Sequence, residues 1–176
     1  SFYPATFYGG PISATWDLSK KLAEKGIEVY VSTTNANGSK KLDVECNKYL
    51  KKEENVFVKY YNEQITNKFS LSFIFGIWSD IKKSDIVYIQ YLFHYTVLFS
   101  LLFSVFQNKK VVLCPRGSLS SWGLNYKHKW IKMIWLTFFI SPFVKNVIWQ
   151  ACSYLEFTDI KNIFNKSKIV EINDGI

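Results

Sequence analysis

Short apolar segments rich in β-branched and aromatic residues alternate along this chain with helix-like segments, and this alternation constrains the fold more than any other feature. Strands that are apolar over their whole length, with helices between them, are typical of a parallel sheet covered on both faces. We therefore expect an α/β fold with a Rossmann-like, doubly wound parallel sheet. The predicted strands are residues 27–34, 56–61, 85–91, 109–115, 146–153 and 168–173.

Segments of helical length fill most of the intervals between these strands. The predicted helices are residues 11–25, 70–84, 96–106, 125–140 and 154–164. The polar segment 35–55 contains the turn residues Asn37 and Gly38, so we expect a loop or a short helix there. A chain of 176 residues fits one domain with a substantial core, and we expect residues 1–176 to form a single domain.

The first predicted helix opens with "GGP" at residues 9–11. In an α/β fold a glycine turn that opens a helix follows a strand. Only a short segment beginning "SFYP" precedes this turn. We therefore expect the first strand of the sheet to lie before residue 1, so that the sheet of this chain lacks it.

The positive charge of the chain is concentrated in one region. Residues 109–168 hold ten of the 22 Lys and Arg residues but only Glu156 and Asp159 of the 14 acidic ones, so they carry the whole net charge of +8. No acidic residue occurs between Lys109 and Lys145. A region of one sign attracts anions, which could be a phosphorylated ligand, an anionic membrane or nucleic acid. The chain has no recognised nucleic-acid-binding motif, so we expect no nucleic-acid partner.

The three cysteines, Cys46, Cys114 and Cys152, are scattered and form no CxxC or Cys/His motif. We therefore predict no metal site. Cys114 and Cys152 lie in apolar strand-like segments, where a thiol behaves as a small core residue. We expect reduced, structural cysteines in a cytoplasmic protein.

Residues 86–108 carry no full charge and are long enough to raise the question of a transmembrane helix. Residues 86–91 have a strand composition, however, and the helical part, 96–106, makes only about three turns, too few to cross a bilayer. The aromatic content of 18% is high for a soluble protein. It favours a buried core together with either a membrane surface or a missing partner.

Two segments have the composition of an anion-binding site. The backbone of Gly9, Gly10 and Pro11 lies at a predicted helix N-terminus, which suits a phosphate or a sugar hydroxyl, although such a sequence can also be an ordinary turn. Arg116 and Gly117 follow the strand 109–115, at the carboxyl edge of the predicted sheet where open α/β folds bind ligands. The alternative for Arg116 is an arginine on a surface loop.

Two further features could contact a ligand or a membrane. His94 also follows a predicted strand, although a structural histidine is the simpler interpretation. The segment "NYKHKWIKMIWLTFF" (125–139) carries lysines, including Lys129, on one side and aromatic residues on the other. Such a helix can lie on an anionic membrane surface, or it can be a core helix with a solvated end. No nucleophile–base motif is evident, so no catalytic residue is assigned.

Four segments together resemble one protein family. They are "FYPATFYGGPISATWDLSKKLAEKGIEVYVSTT" (2–34), "PRGSLSSW" (115–122), "ACSYLEFTDI" (151–160) and "IVEINDGI" (169–176). In this order they resemble the N-terminal domain of glycosyltransferase family 4, the retaining GT-B enzymes that build bacterial polysaccharides and glycolipids. The last segment resembles the one that leads into the second domain of those enzymes.

The resemblance implies roles for particular residues. Gly9, Gly10, Pro11, Arg116 and Gly117 would bind the phosphates or the sugar of a nucleotide-sugar donor. Many relatives have His-Gly in place of Arg116–Gly117, so a histidine's role is not transferred to the arginine. Candidate acceptor-binding residues are His94, Trp122 and Lys129.

The resemblance also implies partners and a location. The donor-binding C-terminal domain of such enzymes would be absent from this chain, so we expect these residues alone to be inactive. The nucleotide-sugar would be a substrate, the acceptor a saccharide or a lipid-linked saccharide, and no cofactor is expected. The protein would be cytoplasmic, with peripheral contact to the cytosolic face of the inner membrane. The alternatives are one half of a GT-B-like sugar epimerase and a small membrane-associated binding protein.

Overall fold

The computed structural model describes residues 1–65 and 69–173, and it confirms a mixed α/β architecture with a parallel sheet. The chain divides into two compact units, residues 1–80 and residues 81–176. Each unit has its own sheet, and the two units are described separately below. The single domain expected for residues 1–176 stays a prediction, as does a strand before residue 1.

The first unit contains a three-stranded sheet with the order β1 (Val29–Thr34), β5 (Val56–Tyr61), β4 (Tyr49–Glu53), in which β1 and β5 are parallel. Helix α1 contacts β1 and β5, and a core of Phe2, Val56, Val58 and Tyr60 lies beside Trp16 of α1. The elements in this part of the chain are α1 (Gly10–Glu24), β1 (Val29–Thr34), β2 (Ala36–Asn37), β3 (Lys40–Lys41), β4 (Tyr49–Glu53), β5 (Val56–Tyr61) and α2 (Leu71–Lys83).

The polar segment 35–55 differs from the loop or short helix that the sequence predicts. It contains the small β2–β3 hairpin and β4, which pairs antiparallel with β5. Leu50 of β4 packs against the core, while Lys51 and Glu53 are exposed. Because β4 is an edge strand of the described sheet, charged side chains are tolerated there, and they hide its strand character in the sequence.

The second unit contains a four-stranded, fully parallel sheet whose strands, β6 to β9, follow one another in chain order across the sheet and lie at residues 86–90, 110–114, 147–151 and 168–171. Each strand pairs with the next one along the chain, as in Leu113 opposite Trp149 and Trp149 opposite Ile169. The strands are β6 (Ile86–Gln90), β7 (Lys110–Cys114), β8 (Val147–Ala151) and β9 (Lys168–Glu171). The helices between them are α3 (Tyr95–Phe106), α4 (Ser121–Asn125), α5 (Lys129–Trp135) and α6 (Tyr154–Ile163).

The core of the second unit lies between this sheet and its helices. Trp149 of β8 is fully buried and packs in one cluster with Leu101 of α3, Leu113 of β7 and Ile160 of α6. Burial of such a side chain contributes about 1.5–3 kcal/mol relative to exposure. Contacts of α3 with β6 and β7, and of α6 with β8 and β9, fix the helices against the sheet and so fix the loops at its carboxyl edge.

The sequence predicts one helix over residues 125–140, whereas the structure has a shorter and irregular helical segment there. Asn125 ends α4, and Lys127 and His128 have left-handed backbone conformations that separate α4 from α5. Helix α5 continues into a π-helical turn, Leu136–Ile140, and a 3-10 segment, Ser141–Asn146. Pro142 has no N–H to continue the α-helical hydrogen bonds, which accounts for the change of helix type at this end.

Within the described residues, no helix combines the length and apolar character needed to cross a bilayer. The apolar segment that raised this question, 86–108, is divided between β6 and the 12-residue helix α3.

Candidate functional site at the carboxyl edge of the parallel sheet

Loops that follow three neighbouring parallel strands form the candidate site in the second unit. Strands β6, β7 and β8 end at Gln90, Cys114 and Ala151. Their carboxyl ends lie at one edge of the sheet, which is where open α/β folds bind ligands. The backbone N–H of Tyr91 donates to the carbonyl of Cys114 at 3.0 Å, so the loops after β6 and β7 are joined directly.

Arg116 and Gly117 form a tight turn directly after β7. Their φ angles are 54° and 73°, both in the left-handed region. Only glycine adopts this region without cost, so Arg116 holds a conformation that its surroundings must stabilise. The backbone N–H of Ser118 donates to the carbonyl of Pro115, and the N–H of Ser120 donates to that of Gly117. These two bonds fix the shape of the loop.

Glu156 anchors this turn from the neighbouring loop. One carboxylate oxygen accepts a hydrogen bond from the backbone N–H of Gly117 and the other from the N–H of Cys152, both at 2.7 Å. The carboxylate is buried, and hydrogen bonds to a charged group are stronger than neutral ones. The loops after β7 and β8 are thus held together by one side chain.

A glutamate in the first turn of a helix, as Glu156 is in α6, complements the helix dipole. In the structure Ser153 caps α6 by accepting from the N–H of Glu156 at 3.2 Å. Because the Ser153 hydroxyl already caps α6, the carboxylate of Glu156 accepts its hydrogen bonds from residues that lie outside this helix. The Ser-x-x-Glu spacing of a capping box was the sequence signal for Ser153 and Glu156, but it does not reveal the bond to Gly117.

The Arg116 guanidinium lies among polar groups of three strands. Its Nη1 atom is 3.6 Å from Cys152 Sγ. Burial raises the pKa of Tyr91, and the positive charge of Arg116 opposes part of that rise. Burial likewise raises the pKa of the Cys114 thiol, again opposed in part by Arg116. The half-buried guanidinium therefore supplies positive charge at the carboxyl edge of the sheet.

Cys114 and Cys152, which the sequence treats as separate core residues, lie side by side. Their Sγ atoms are 3.2 Å apart. Both sulfur atoms and a carboxylate oxygen of Glu156 lie within 4.8 Å of one another. Two sulfurs and one carboxylate can act as ligands of a thiophilic cation such as Zn²⁺. The expected absence of a metal or cofactor stays a prediction.

His94 occupies the N-cap position of α3, directly after β6. Its Nδ1 atom is 2.9 Å from the hydroxyl of Thr96, and burial lowers the pKa of the imidazole to about 4. The ring is therefore neutral at pH 7. This environment fits the structural histidine that was one of the two interpretations of His94, while its acceptor-binding role stays a prediction.

Trp122 and Lys129 lie further along the same connection, between β7 and β8. Trp122 is 74% exposed and stacks on Tyr126, with ring centroids 4.9 Å apart and planes at 17°. These two rings line a shallow groove together with Ser121 and Asn125. Lys129 is exposed at the first turn of α5. Lys127 Nζ lies 5.3 Å from the centroid of the Tyr126 ring. A flat exposed aromatic pair beside a cation can receive a sugar ring or an acyl chain.

Gly9, Gly10 and Pro11 lie in the first unit, at the start of α1. Gly9 is the N-cap residue with φ of 67°, and none of the described side chains caps this helix end. A Cβ atom built on Gly9 or Gly10 would meet nothing within 4 Å, so the backbone there is open to a ligand. The structure thus fits both an anion-binding helix end and an ordinary turn.

The structure brings Arg116 and Gly117 together with Cys114, Cys152 and Glu156 in one unit. The glycine turn of residues 9–11 belongs to the other unit. That the glycine turn and the Arg116–Gly117 turn bind the phosphates or the sugar of one nucleotide-sugar donor stays a prediction.

No protein-family model matches this chain, and no curated protein sequence matches it either.

Proposed function

We propose that this chain is the N-terminal half of a retaining glycosyltransferase of the GT-B type. The whole protein would move a sugar from a nucleotide-sugar donor to a saccharide or lipid-linked acceptor in bacterial surface polysaccharide synthesis. The single observation that carries the proposal is the Arg116–Gly117 turn, which the buried carboxylate of Glu156 anchors at the carboxyl edge of a parallel sheet.

This turn has the properties that an anion-binding element requires. Arg116 offers a planar cationic fork that suits phosphate oxygens, and the hydrogen bonds of Gly117 and Ser120 fix its backbone before any ligand arrives. A charge held in place in advance does not have to reorganise during a reaction. The surrounding sequence, from Lys109 to Lys145, has no acidic residue. The carboxylate at this turn, Glu156, accepts hydrogen bonds from the backbone N–H groups of Gly117 and Cys152.

In the proposed reaction, negative charge develops on the leaving diphosphate as the bond from the sugar breaks. A fixed guanidinium at that point stabilises the transition state more than the ground state, which is the source of rate enhancement. Arg116 would face the transferred sugar and its phosphate. By the resemblance, the open backbone of Gly9 and Gly10 at the start of α1, with the partial positive charge of a helix N-terminus, would line a donor phosphate.

The acceptor side of the proposal depends on exposed aromatic residues. Trp122 stacked on Tyr126 offers a plane against which a sugar can pack. Trp130 and Ile131 of α5 are 72% and 57% exposed, next to the exposed Lys129. Basic and aromatic residues on one exposed segment favour contact with an anionic membrane, and hence a lipid-linked acceptor.

Two other functions are compatible with the same fold. One half of a GT-B-like sugar epimerase would bind a nucleotide-sugar but transfer nothing. A small membrane-associated binding protein would use the aromatic segment near α5 without any nucleotide-sugar.

Product analysis of the full-length protein distinguishes these functions. The full-length protein is incubated with UDP- and GDP-sugars and membrane lipid extract, and the products are analysed by mass spectrometry and NMR. We expect release of a nucleoside diphosphate and a new glycoside with the anomeric configuration of the donor. An isomerised sugar with no glycoside would support the epimerase, and intact donors throughout would contradict both enzymes.

A further inference from the structure

Cys114 and Cys152 form a pair that the proposed sugar transfer does not use. Cys114 is the last residue of β7, and Cys152 directly follows β8, the neighbouring parallel strand. Their sulfur atoms are 3.2 Å apart, although 38 positions separate the two residues in sequence. Cys114 is fully buried, whereas Cys152 is only partly buried.

We propose that Cys114 and Cys152 are a site of reversible oxidation, at which a two-electron oxidant such as a low-molecular-weight disulfide converts the two thiols into an intramolecular disulfide. The site would join the carboxyl ends of β7 and β8. This proposal does not depend on the glycosyltransferase activity.

The groups around the two sulfur atoms favour a disulfide over a metal site. From their separation of 3.2 Å the sulfurs would approach by about 1.2 Å to form a disulfide bond, which is about 2.0 Å long. They would separate by about 0.6 Å to share a tetrahedral zinc ion, so the distance alone allows either. The carboxylate of Glu156 already accepts two backbone hydrogen bonds, and the Arg116 cation lies 3.6 Å from Cys152 Sγ, which disfavours a second cation.

The two thiols have different environments, which defines the order of the reaction. Cys152 is the accessible one, and the positively charged guanidinium of Arg116 lies with its Nη1 atom 3.6 Å from the Cys152 sulfur. Cys114 has no exposed surface, and burial raises the pKa of its thiol. An external oxidant therefore reacts first with Cys152, and Cys114 then acts from inside the protein.

The reaction with a disulfide RSSR proceeds by two thiol–disulfide exchanges. The Cys152 thiolate attacks one sulfur of RSSR, forms a mixed disulfide and releases RS⁻. Cys114 then loses its proton, and its sulfur attacks Cys152 Sγ and expels the second RS⁻. The two protein thiols lose two electrons and two protons, and RSSR gains both to become two RSH.

The test measures free thiols after oxidation of the folded chain. The protein is incubated with oxidised glutathione, quenched with acid, unfolded and labelled with N-ethylmaleimide, and its mass is determined. The reduced protein should take three labels, one on each cysteine thiol. The oxidised protein should take one label, on Cys46, and a digest should contain a peptide that links Cys114 to Cys152.

Matched variants identify the pair. Cys46→Ser should take no label after oxidation and still contain the Cys114–Cys152 link. Cys152→Ser should contain no such link, and Cys114→Ala, which keeps the buried position apolar, should likewise lack it and keep glutathione on Cys152. The pair should form at least tenfold faster in the folded chain than in urea, because the fold holds the sulfurs together.

Several results would overturn the proposal. One is three labels after oxidation of the folded chain, and another is a pairing pattern no different from that of the urea-unfolded chain. A stable glutathione adduct on Cys152 of the unmodified chain would show that Cys114 does not reach it. A bound equivalent of zinc that protects both thiols, and whose removal by a chelator restores three labels, would identify a metal site instead.

Discussion

At the scale of single residues, Glu156 connects two loops of the candidate site. Its carboxylate holds Gly117 and Cys152 by their backbone N–H groups. Glu156→Ala should lower the free energy of unfolding by about 1–3 kcal/mol, because two charge-assisted hydrogen bonds are lost. Urea unfolding measures this loss, and amide hydrogen exchange at Gly117 and Cys152 should become faster in the variant.

Glu171→Ala is the matched control for Glu156, because Glu171 is an exposed acid on β9 of the same unit. It should leave the urea midpoint nearly unchanged. Equal stability of the two alanine variants, with unchanged exchange at Gly117, would show that Glu156 does not hold the turn.

His94 should make stability depend on pH. Its pKa is about 4 in the folded chain because the imidazole is buried, against about 6.5 in an unfolded chain. Between these values the unfolded chain binds more protons, so stability is complete above pH 6.5 and falls as the pH is lowered toward 4. His94 should contribute a loss of about 2–3 kcal/mol between pH 7.5 and pH 4.5.

His94→Gln removes this contribution, and His128→Gln is its control because His128 is exposed. Urea unfolding at several pH values should give a flatter stability curve for His94→Gln than for the unmodified chain, while His128→Gln follows the unmodified chain. Parallel curves for all three proteins would mean that the imidazole of His94 titrates normally.

Sequence alone locates residues at the carboxyl edge better than it assigns their contacts. Arg116 and Gly117 follow a predicted strand that the structure confirms, so their position at that edge could be predicted. The bond from Gly117 to Glu156 spans 39 positions and depends on how β7 and β8 pair, which no local pattern encodes. The proximity of Cys114 and Cys152 was missed for the same reason.

At the scale of elements, the strands with apolar, β-branched residues were predicted within a few residues. The strands that were not predicted are the two-residue strands β2 and β3 and the edge strand β4, whose lysines conceal its alternation of apolar and polar residues. The helix of residues 125–140 was predicted too long, because periodicity continues through Lys127 and His128 although their left-handed backbone interrupts the helix. Hydrophobic periodicity reports which faces are buried and does not report such breaks.

The segment around α5 provides a test of membrane contact. Lys127 and Lys129 are exposed beside the exposed Trp130. Each lysine near an anionic surface contributes about 1 kcal/mol to binding, so Lys127→Glu combined with Lys129→Glu should weaken binding to anionic vesicles by about tenfold or more. Flotation with phosphatidylglycerol vesicles and with neutral phosphatidylcholine vesicles measures the effect.

Lys161→Glu combined with Lys166→Glu is the control, since both lysines are exposed, lie at or after the end of α6 and give the same change in net charge. This variant should bind anionic vesicles nearly as well as the unmodified chain. Equal loss in both variants would indicate attraction by net charge alone, and equal flotation with neutral and anionic vesicles would contradict the electrostatic contact.

At the scale of the whole molecule, the chain consists of two α/β units, each with its own sheet and core. The second unit alone contains the anchored Arg116 turn, the cysteine pair and the exposed aromatic segment. In the proposed enzyme a further domain would supply most of the nucleotide-binding groups, and this chain would supply Arg116 and the acceptor side. The chain by itself should then transfer no sugar.

The kinetic effect of Arg116 in the full-length protein tests the central claim most directly. Arg116→Ala should lower kcat/KM for the nucleotide-sugar by about 10²–10³, the usual effect of removing one group that stabilises a developing negative charge. Lys161→Ala, an exposed cation on α6, should leave kcat/KM unchanged. An Arg116→Ala enzyme whose kcat/KM stays within about twofold of the unmodified enzyme would contradict the account.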